Sequence, residues 1–132
     1  MTLVDSNVLL DVVTDGQVWG DWSQEQFEQA ALKGALVIND VIYADVSTRY
    51  ASVDDIESIL VDLKIELVPI PREALFLAGK AYVQYRAAGG IRTGVLSDFF
   101  IGAHAAVEQL PLLTRDVRRY RSYFPTVNLI AP

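Results

Sequence analysis

Short apolar runs recur along the chain and alternate with longer segments in which apolar and polar residues are mixed. Five such runs are present, at residues 3–4, 35–38, 65–68, 110–114 and 127–130. None shows the clear alternation of apolar and polar residues that marks a strand with one solvated face. The pattern therefore predicts five short strands that are buried on both faces of a parallel sheet.

The segments between these runs carry apolar residues at helical spacing and residues that suit helix ends. Helices are expected from about residue 8, then over 19–33, 41–50, 52–63, 71–89 and 98–108, with a short turn at 116–120. Asn39, Asp40 and Ser97 suit helix N-caps, and Ser52 with Asp55 forms a capping-box arrangement. Asp15 and the following glycine predict a turn, and residues 89–94 predict a loop.

The alternation of strands and helices sets the expected architecture. It is typical of a parallel sheet whose two faces are covered by helices through right-handed crossovers. We therefore expect an α/β fold, a three-layer α/β/α sandwich with a mostly parallel sheet of about five strands. The length of 132 residues fits one domain spanning residues 1–132.

Composition narrows the class of protein. The chain has no cysteine, which excludes a disulfide framework and a thiolate metal site. It has neither the pattern of a signal peptide nor an apolar run near the ~20 residues of a membrane span, so a cytoplasmic protein without a membrane partner is expected. The net charge of −6 argues against non-specific nucleic-acid binding, unless clustered carboxylates are neutralised by bound cations.

Four carboxylates occupy positions where chemistry is expected in such a sheet. Asp5 ends the first strand, and Asp45 lies about one turn into the helix after the second. Asp98 starts the helix before the fourth strand, and Asp116 follows that strand by two residues. Ligands of open α/β sheets bind beyond the carboxyl ends of the strands. The spacing therefore predicts that these acids gather at one edge.

Such a cluster has a specific chemical implication. Like charges raise one another's pKa, and a hard divalent cation relieves the repulsion. Carboxylates and waters suit Mg²⁺ or Mn²⁺, whereas zinc prefers His or Cys and His104 is the only histidine. A metal-bound water can attack a phosphodiester. The cluster thus points to metal-dependent phosphoryl chemistry, with Asp5, Asp98 and Asp116 as metal ligands and Asp45 completing the site.

Four segments spread along the chain resemble a PIN-domain ribonuclease of the VapC toxin type. They are residues 4–7 (VDSN), 42–46 (IYADV), 97–105 (SDFFIGAHA) and 112–116 (LLTRD). The resemblance implies a PIN-like fold and an Mg²⁺- or Mn²⁺-dependent endoribonuclease that hydrolyses RNA. It also implies a homodimer silenced by a cognate antitoxin protein.

One position departs from the family pattern. The second acid of the family is typically glutamate, and this chain has Asp45, which is one methylene shorter. Asp45 can alternatively pair with Arg49 four residues later on the same helix. A PIN-like binding module with a defective metal site therefore remains the alternative. A haloacid-dehalogenase phosphatase is disfavoured by Asn7, and a phospho-receiver domain by Pro69.

Several further residues are expected around the carboxylates. Supporting polar contacts are predicted from Ser6, Asn7 and Thr114, for which capping and turn formation are the alternative. RNA phosphate contacts are predicted from a basic cluster beside Asp116, namely Arg115, Arg118, Arg119 and Arg121, with Arg86 and Arg92 as weaker candidates. Asp11 and Asp15 are expected to be solvated. Tyr120, Tyr123 and Phe124 are expected to pack against the last strand, with stacking on RNA bases as the alternative. His104 is expected to pack or to form a hydrogen bond on its helix.

Overall fold

The sheet confirms the predicted architecture. The computed structural model describes residues 1–14, 18–91 and 96–132. It contains the strands β1 (Thr2–Val4), β2 (Leu36–Ile38), β3 (Ile65–Leu67), β4 (Leu112–Leu113) and β5 (Leu129–Ile130). They pair in the order β3-β2-β1-β4-β5, and every pairing is parallel. The predicted α/β sandwich with a parallel five-stranded sheet is therefore correct.

Helices connect and cover these strands. They are α1 (Ser6–Thr14), α2 (Gly20–Lys33), α3 (Asp40–Ser47), α4 (Val53–Asp62), α5 (Arg72–Ala87), α6 (Leu96–Glu108) and α7 (Arg118–Tyr123). Two predicted caps are confirmed: Asn39 accepts a hydrogen bond from the Ile42 backbone N–H at 3.0 Å, and Ser52 accepts one from Asp55 at 3.2 Å. Within the described ranges, no helix is both long and apolar enough to cross a membrane.

Some predicted boundaries are wrong. The segment expected as a turn at 116–120 contains the start of helix α7. Helix α6 begins at Leu96, so Ser97 lies in its first turn and is not the residue before it. The strands predicted at 110–114 and 127–130 each shrink to two residues. The turn at Asp15 and residues 92–94 of the predicted loop lie outside the described residues.

The strand register brings three polar residues together at one edge of the sheet. Strand β1 lies in the centre, and its Leu3 is level with Val37 of β2 and Leu112 of β4. The Asp5 backbone N–H continues this ladder by donating to Leu113 O at 2.9 Å. Asp5, Asn39 and Thr114 therefore directly follow three neighbouring parallel strands.

The strands β1, β2 and β4 are buried because helices cover the sheet, whereas the edge strands β3 and β5 are more exposed than expected. Leu3, Val4, Val37, Leu112 and Leu113 are completely shielded from solvent. A fully buried apolar side chain of this size stabilises the fold by about 1.5–3 kcal/mol relative to its exposure. The central strands are consequently the rigid part of the molecule, and they hold the backbone of Asp5 and Thr114 in place.

Candidate functional site

Asp5 lies at the centre of a buried hydrogen-bond network. Its side chain is 3% exposed. Asp5 Oδ1 accepts from the Ser6 backbone N–H at 2.7 Å, and Asp5 Oδ2 accepts from the Thr114 hydroxyl and the Tyr120 hydroxyl, each at 2.8 Å. Asn7 Nδ2 approaches Asp5 Oδ2 at 3.5 Å. Ser6, Asn7 and Thr114, the three residues expected to support the carboxylates, all contact Asp5.

The electrostatics of Asp5 and Tyr120 follow from this burial. Burial raises the pKa of Asp5, and the hydrogen bonds from Thr114, Tyr120 and Ser6 oppose that rise. Burial and the nearby negative charges raise the pKa of Tyr120 well above its ordinary value. Tyr120 therefore stays a neutral phenol, and its hydroxyl donates a hydrogen bond to Asp5.

Asp98 lies in the first turn of α6 and forms an ion pair with α7. Arg119 Nη1 donates to Asp98 Oδ2 at 2.9 Å. Burial raises the pKa of Asp98 to about 6, the negative charges of Asp5 and Asp116 add to the rise, and Arg119 opposes it. Three of the four predicted carboxylates therefore influence one another electrostatically at the carboxyl edge of the sheet.

Asp45 reaches the site through Ser6. The Ser6 hydroxyl lies 3.0 Å from Asp45 Oδ2 and 3.3 Å from Asp5 Oδ1. A hydroxyl has one proton, so it donates to one carboxylate at a time, and the shorter contact is to Asp45. In the described part of the chain no ion pair joins Asp45 to Arg49, which is exposed. The alternative of a helical ion pair is thus not adopted.

Asp116 is held near the site mainly by its backbone. Its backbone N–H donates to Thr114 Oγ1 at 3.1 Å, while its own Oδ1 accepts from the Arg118 backbone N–H at 3.3 Å. The side chain is otherwise exposed. Asp116 is therefore the most accessible of the four carboxylates.

A divalent cation fits these residues by donor type and by charge. Carboxylate oxygens are the ligands that hard cations prefer, and mutual repulsion with burial is the cost that such a cation offsets. Among the described residues, no three acidic, histidine or cysteine side chains are close enough together to form a ready metal site. In this arrangement Asp98 is instead neutralised by Arg119.

Arg115, a predicted RNA phosphate contact, forms an ion pair within the protein. Its guanidinium makes two hydrogen bonds to Asp11, at 2.7 and 3.2 Å, and lies 5.8 Å from the Trp19 ring centroid. Ser23 also donates to Asp11 at 2.7 Å. The expectation that Asp11 is solvated is wrong, because it is buried in this network. Arg115 thereby ties α1 and α2 to the segment after β4.

The other predicted arginines divide into two groups. Arg118 and Arg121 are exposed on α7, and Arg86 is exposed and donates to Gly90 O at 2.6 Å. Arg119 is partly buried against Asp98. Arg92 lies outside the described residues.

The contact of Tyr120 with Asp5 was not predicted, whereas the hydrogen-bonding role of His104 on its helix was. Tyr120 was expected to pack or to stack on bases, yet its hydroxyl binds Asp5. His104 is buried on α6, and burial lowers its pKa, so its neutral Nδ1 accepts from Asn39 Nδ2 at 3.0 Å. Because Asn39 caps α3, this bond ties the helix that carries Asp45 to the helix that carries Asp98. The polar groups of buried aromatic residues were the available signal in the sequence.

Solved structures share this fold at low sequence identity. The chain is 16% identical to a chain of VapBC2 from Rickettsia felis bound to a promoter DNA fragment, with a TM-score of 0.74 over 99% of this chain and 98% of that one. A chain of a toxin–antitoxin complex from Klebsiella pneumoniae is 19% identical, with a TM-score of 0.63 over 96% of this chain and 95% of that one. A chain of FitAcB from Neisseria gonorrhoeae is 13% identical, with a TM-score of 0.70 over 98% of this chain and 96% of that one.

The family comparison extends over nearly the same length. No curated protein matches the sequence. The family model described as the PIN domain matches residues 2–124, which include all four predicted carboxylates. The chain therefore belongs to the PIN domain family.

Proposed function

We propose that this protein is a divalent-metal-dependent endoribonuclease that hydrolyses RNA phosphodiester bonds as the VapC-type toxin of a toxin–antitoxin pair. PIN domains are generally nucleases. The proposal is supported by the contact of the Ser6 hydroxyl with both Asp5 and Asp45, and by Asp5 and Asp116 lying close enough to Asp98 to raise its pKa. Such coupled acids are typical of active sites.

The proposed roles follow from the contacts of each side chain. Asp5, Asp98 and Asp116 would hold Mg²⁺ or Mn²⁺, and Asp45 would complete the site. When bound, the cation supplies an activated water and stabilises the leaving oxygen. Asp5 is oriented by Thr114 and Tyr120, whereas the accessible Asp116 can adjust to the ion.

RNA phosphates would be contacted by the exposed arginines of α7. Arg118 and Arg121 lie on the helix that directly follows Asp116, with their side chains exposed. Arginine donates in a planar fork that suits phosphate oxygens. These local positive charges would attract RNA although the whole chain carries a net charge of −6.

A cognate antitoxin protein is the proposed partner. One of the similar structures is described as a toxin–antitoxin complex. In this chain, a mostly apolar groove lies between α1 and the C-terminal end of α4, and it is lined by Val12, Val13, Ile59, Asp62 and Leu63. An apolar groove of this kind is suited to an amphipathic helix of a partner. A homodimer and a cytoplasmic location belong to the same proposal.

A cleavage assay tests the nuclease proposal. Structured RNAs are incubated with the protein and Mg²⁺ or Mn²⁺, beside an EDTA control and the variants Asp98→Asn and Asp62→Asn. Asp62 is exposed on α4, so its change serves as the matched control. We expect the cleavage rate of Asp98→Asn to fall by more than about 100-fold. Loss of a residue that only orients a metal ligand typically costs about 10- to 100-fold, so a larger loss indicates a ligand. Cleavage that survives EDTA, or that equals wild type in Asp98→Asn, contradicts the proposal.

The second candidate is a PIN-like binding module with a defective metal site. It is favoured by Asp45 in place of glutamate and by the ion pair of Asp98 with Arg119. Calorimetric titration with Mn²⁺ separates the two candidates. A nuclease site binds the ion stoichiometrically, and a defective site does not.

A further inference from the structure

Arg119 makes an unusual contact for a residue next to a predicted metal site. Its Nη1 lies 2.9 Å from Asp98 Oδ2, and both side chains are largely shielded, with 29% and 26% of their surface exposed. The guanidinium carbon also lies 5.8 Å from the centroid of the Tyr85 ring. Arg119 thus bridges α7 to α6 and α5 at the opening of the site.

The contact differs from the second ion pair of the described chain. Arg115 binds Asp11 through two nitrogens, and Ser23 gives Asp11 a further hydrogen bond. Arg119 binds Asp98 through one nitrogen, which is the only hydrogen bond to that carboxylate within the described residues. The two arginines are equally exposed, but Asp98 is 26% exposed whereas Asp11 is 11% exposed, and a one-point contact is weaker than a two-point one. The Asp98 pair is therefore the one that can exchange.

We propose that Arg119 is the resident counter-ion of Asp98, and that a divalent cation must displace it in order to bind. This inference rests on the proposed metal site. A guanidinium and a divalent cation at the same carboxylate would repel each other, and both would be attracted by the negative charge of Asp98. Arg119 is thus a positioning residue that neutralises Asp98 in the metal-free protein and lowers its affinity for the ion.

In the proposed metal-loaded site, the displaced guanidinium would be available to contact a substrate phosphate. The Tyr85 ring offers a second contact for the displaced side chain through a cation–π interaction. Its five donors are then free for a phosphate group. Arg119 would therefore neutralise Asp98 in the metal-free protein and contact RNA in the metal-loaded protein.

Metal titration of matched arginine variants tests the inference. Mn²⁺ affinity is measured by calorimetry for wild type, Arg119→Gln, Arg119→Lys, Arg118→Gln and Arg121→Gln. The last two variants remove the same charge from α7 at exposed side chains. We expect Arg119→Gln to bind Mn²⁺ about two- to ten-fold more tightly than either control, as a partly exposed ion pair allows. Arg119→Lys, which keeps the charge and loses the fork, should fall between wild type and Arg119→Gln.

The outcomes distinguish this inference from the proposed function. If Arg119→Gln matches the two controls, only long-range charge acts and the inference is overturned. If it binds Mn²⁺ more weakly than the controls, Arg119 assists metal binding and the inference is also overturned. If wild type and all variants fail to bind Mn²⁺, the proposed metal site fails together with it. Thermal melting in EDTA checks folding, and Arg119→Lys carries the comparison if Arg119→Gln does not fold.

Discussion

Burial of a carboxylate makes the hydrogen bonds around Asp5 important. A buried negative charge without partners is very unfavourable, whereas hydrogen bonds to the ionised form stabilise it. Asp5 has donors on both oxygens, from the Ser6 backbone, Thr114 and Tyr120. The network keeps Asp5 in one orientation, which a metal ligand requires.

Removal of one donor should therefore be measurable. Tyr120→Phe keeps the ring and deletes the hydroxyl that contacts Asp5. We expect a loss of about 1–2 kcal/mol in the free energy of unfolding, since hydrogen bonds to charged groups are the stronger ones. Urea denaturation at pH 7.5 measures the loss. Tyr123→Phe is the control, because Tyr123 lies on the same helix and is half-buried. Equal stability of the two variants would contradict the role of the Tyr120 hydroxyl.

The residues that follow strands were predictable, and those placed by helix packing were not. Asp5 and Thr114 come directly after buried apolar runs, so the sequence places them at the edge of the sheet. The pairing of Asp11 with Arg115 joins residues 104 positions apart through the packing of α1 against the segment after β4. No local pattern encodes such a contact. The ion pair of Arg115 with Asp11 was therefore not predicted.

At the scale of elements, α6 and α7 pack at a glycine. A Cβ on Gly102 would overlap the Phe124 ring and lie 3.0 Å from the Tyr120 ring. The close approach lets the Tyr120 hydroxyl reach Asp5. It also explains why a segment predicted as a turn forms a six-residue helix, since tertiary packing stabilises short helices that local propensity does not.

Two glycine substitutions are expected to have opposite effects. Gly102→Ala should destabilise the protein by about 1–3 kcal/mol, because overpacking displaces the Phe124 and Tyr120 rings. Gly79→Ala on α5 should stabilise it by about 0.5–1 kcal/mol, since its Cβ would meet nothing within 4 Å and alanine favours a helix. Urea denaturation of both variants provides the measurement. A Gly102→Ala protein as stable as Gly79→Ala would refute the packing argument.

For the whole molecule, parallel topology explains how distant acids come to lie at one edge. Strand β1 is central, so the segments after β1, β2 and β4 lie side by side. The alternation of apolar runs and helices was sufficient to predict the parallel sheet, but it did not give the order of the strands. The ion pair of Asp98 with Arg119 was not predictable, because side-chain orientation depends on the packing of α6, α5 and α7.

This arrangement also links stability to pH. Burial and neighbouring charges raise the pKa of Asp98 to about 6, from an ordinary value of 3.8. A carboxyl group with a higher pKa in the folded state favours folding when it is protonated. Its contribution is complete below about pH 4 and is lost as the pH rises through about 6. The metal-free protein therefore has a less stable site at neutral pH than in mild acid.

Asp98→Asn should reveal this cost because asparagine resembles the protonated carboxyl. In EDTA at pH 7.5 we expect the melting temperature of the variant to exceed that of wild type by about 2–8 °C, which corresponds to ~1 kcal/mol in the free energy of unfolding. At pH 4.5 most of this difference should disappear, because Asp98 of the wild type is then protonated in the folded state. Mn²⁺ at pH 7.5 should raise the melting temperature of wild type more than that of the variant, since binding to the folded state stabilises it. Asp62→Asn, on exposed α4, should show neither effect. If the variant melts below wild type in EDTA at pH 7.5, the ion pair with Arg119 stabilises the fold by more than the burial of the charged Asp98 destabilises it. That result would contradict the raised pKa of Asp98.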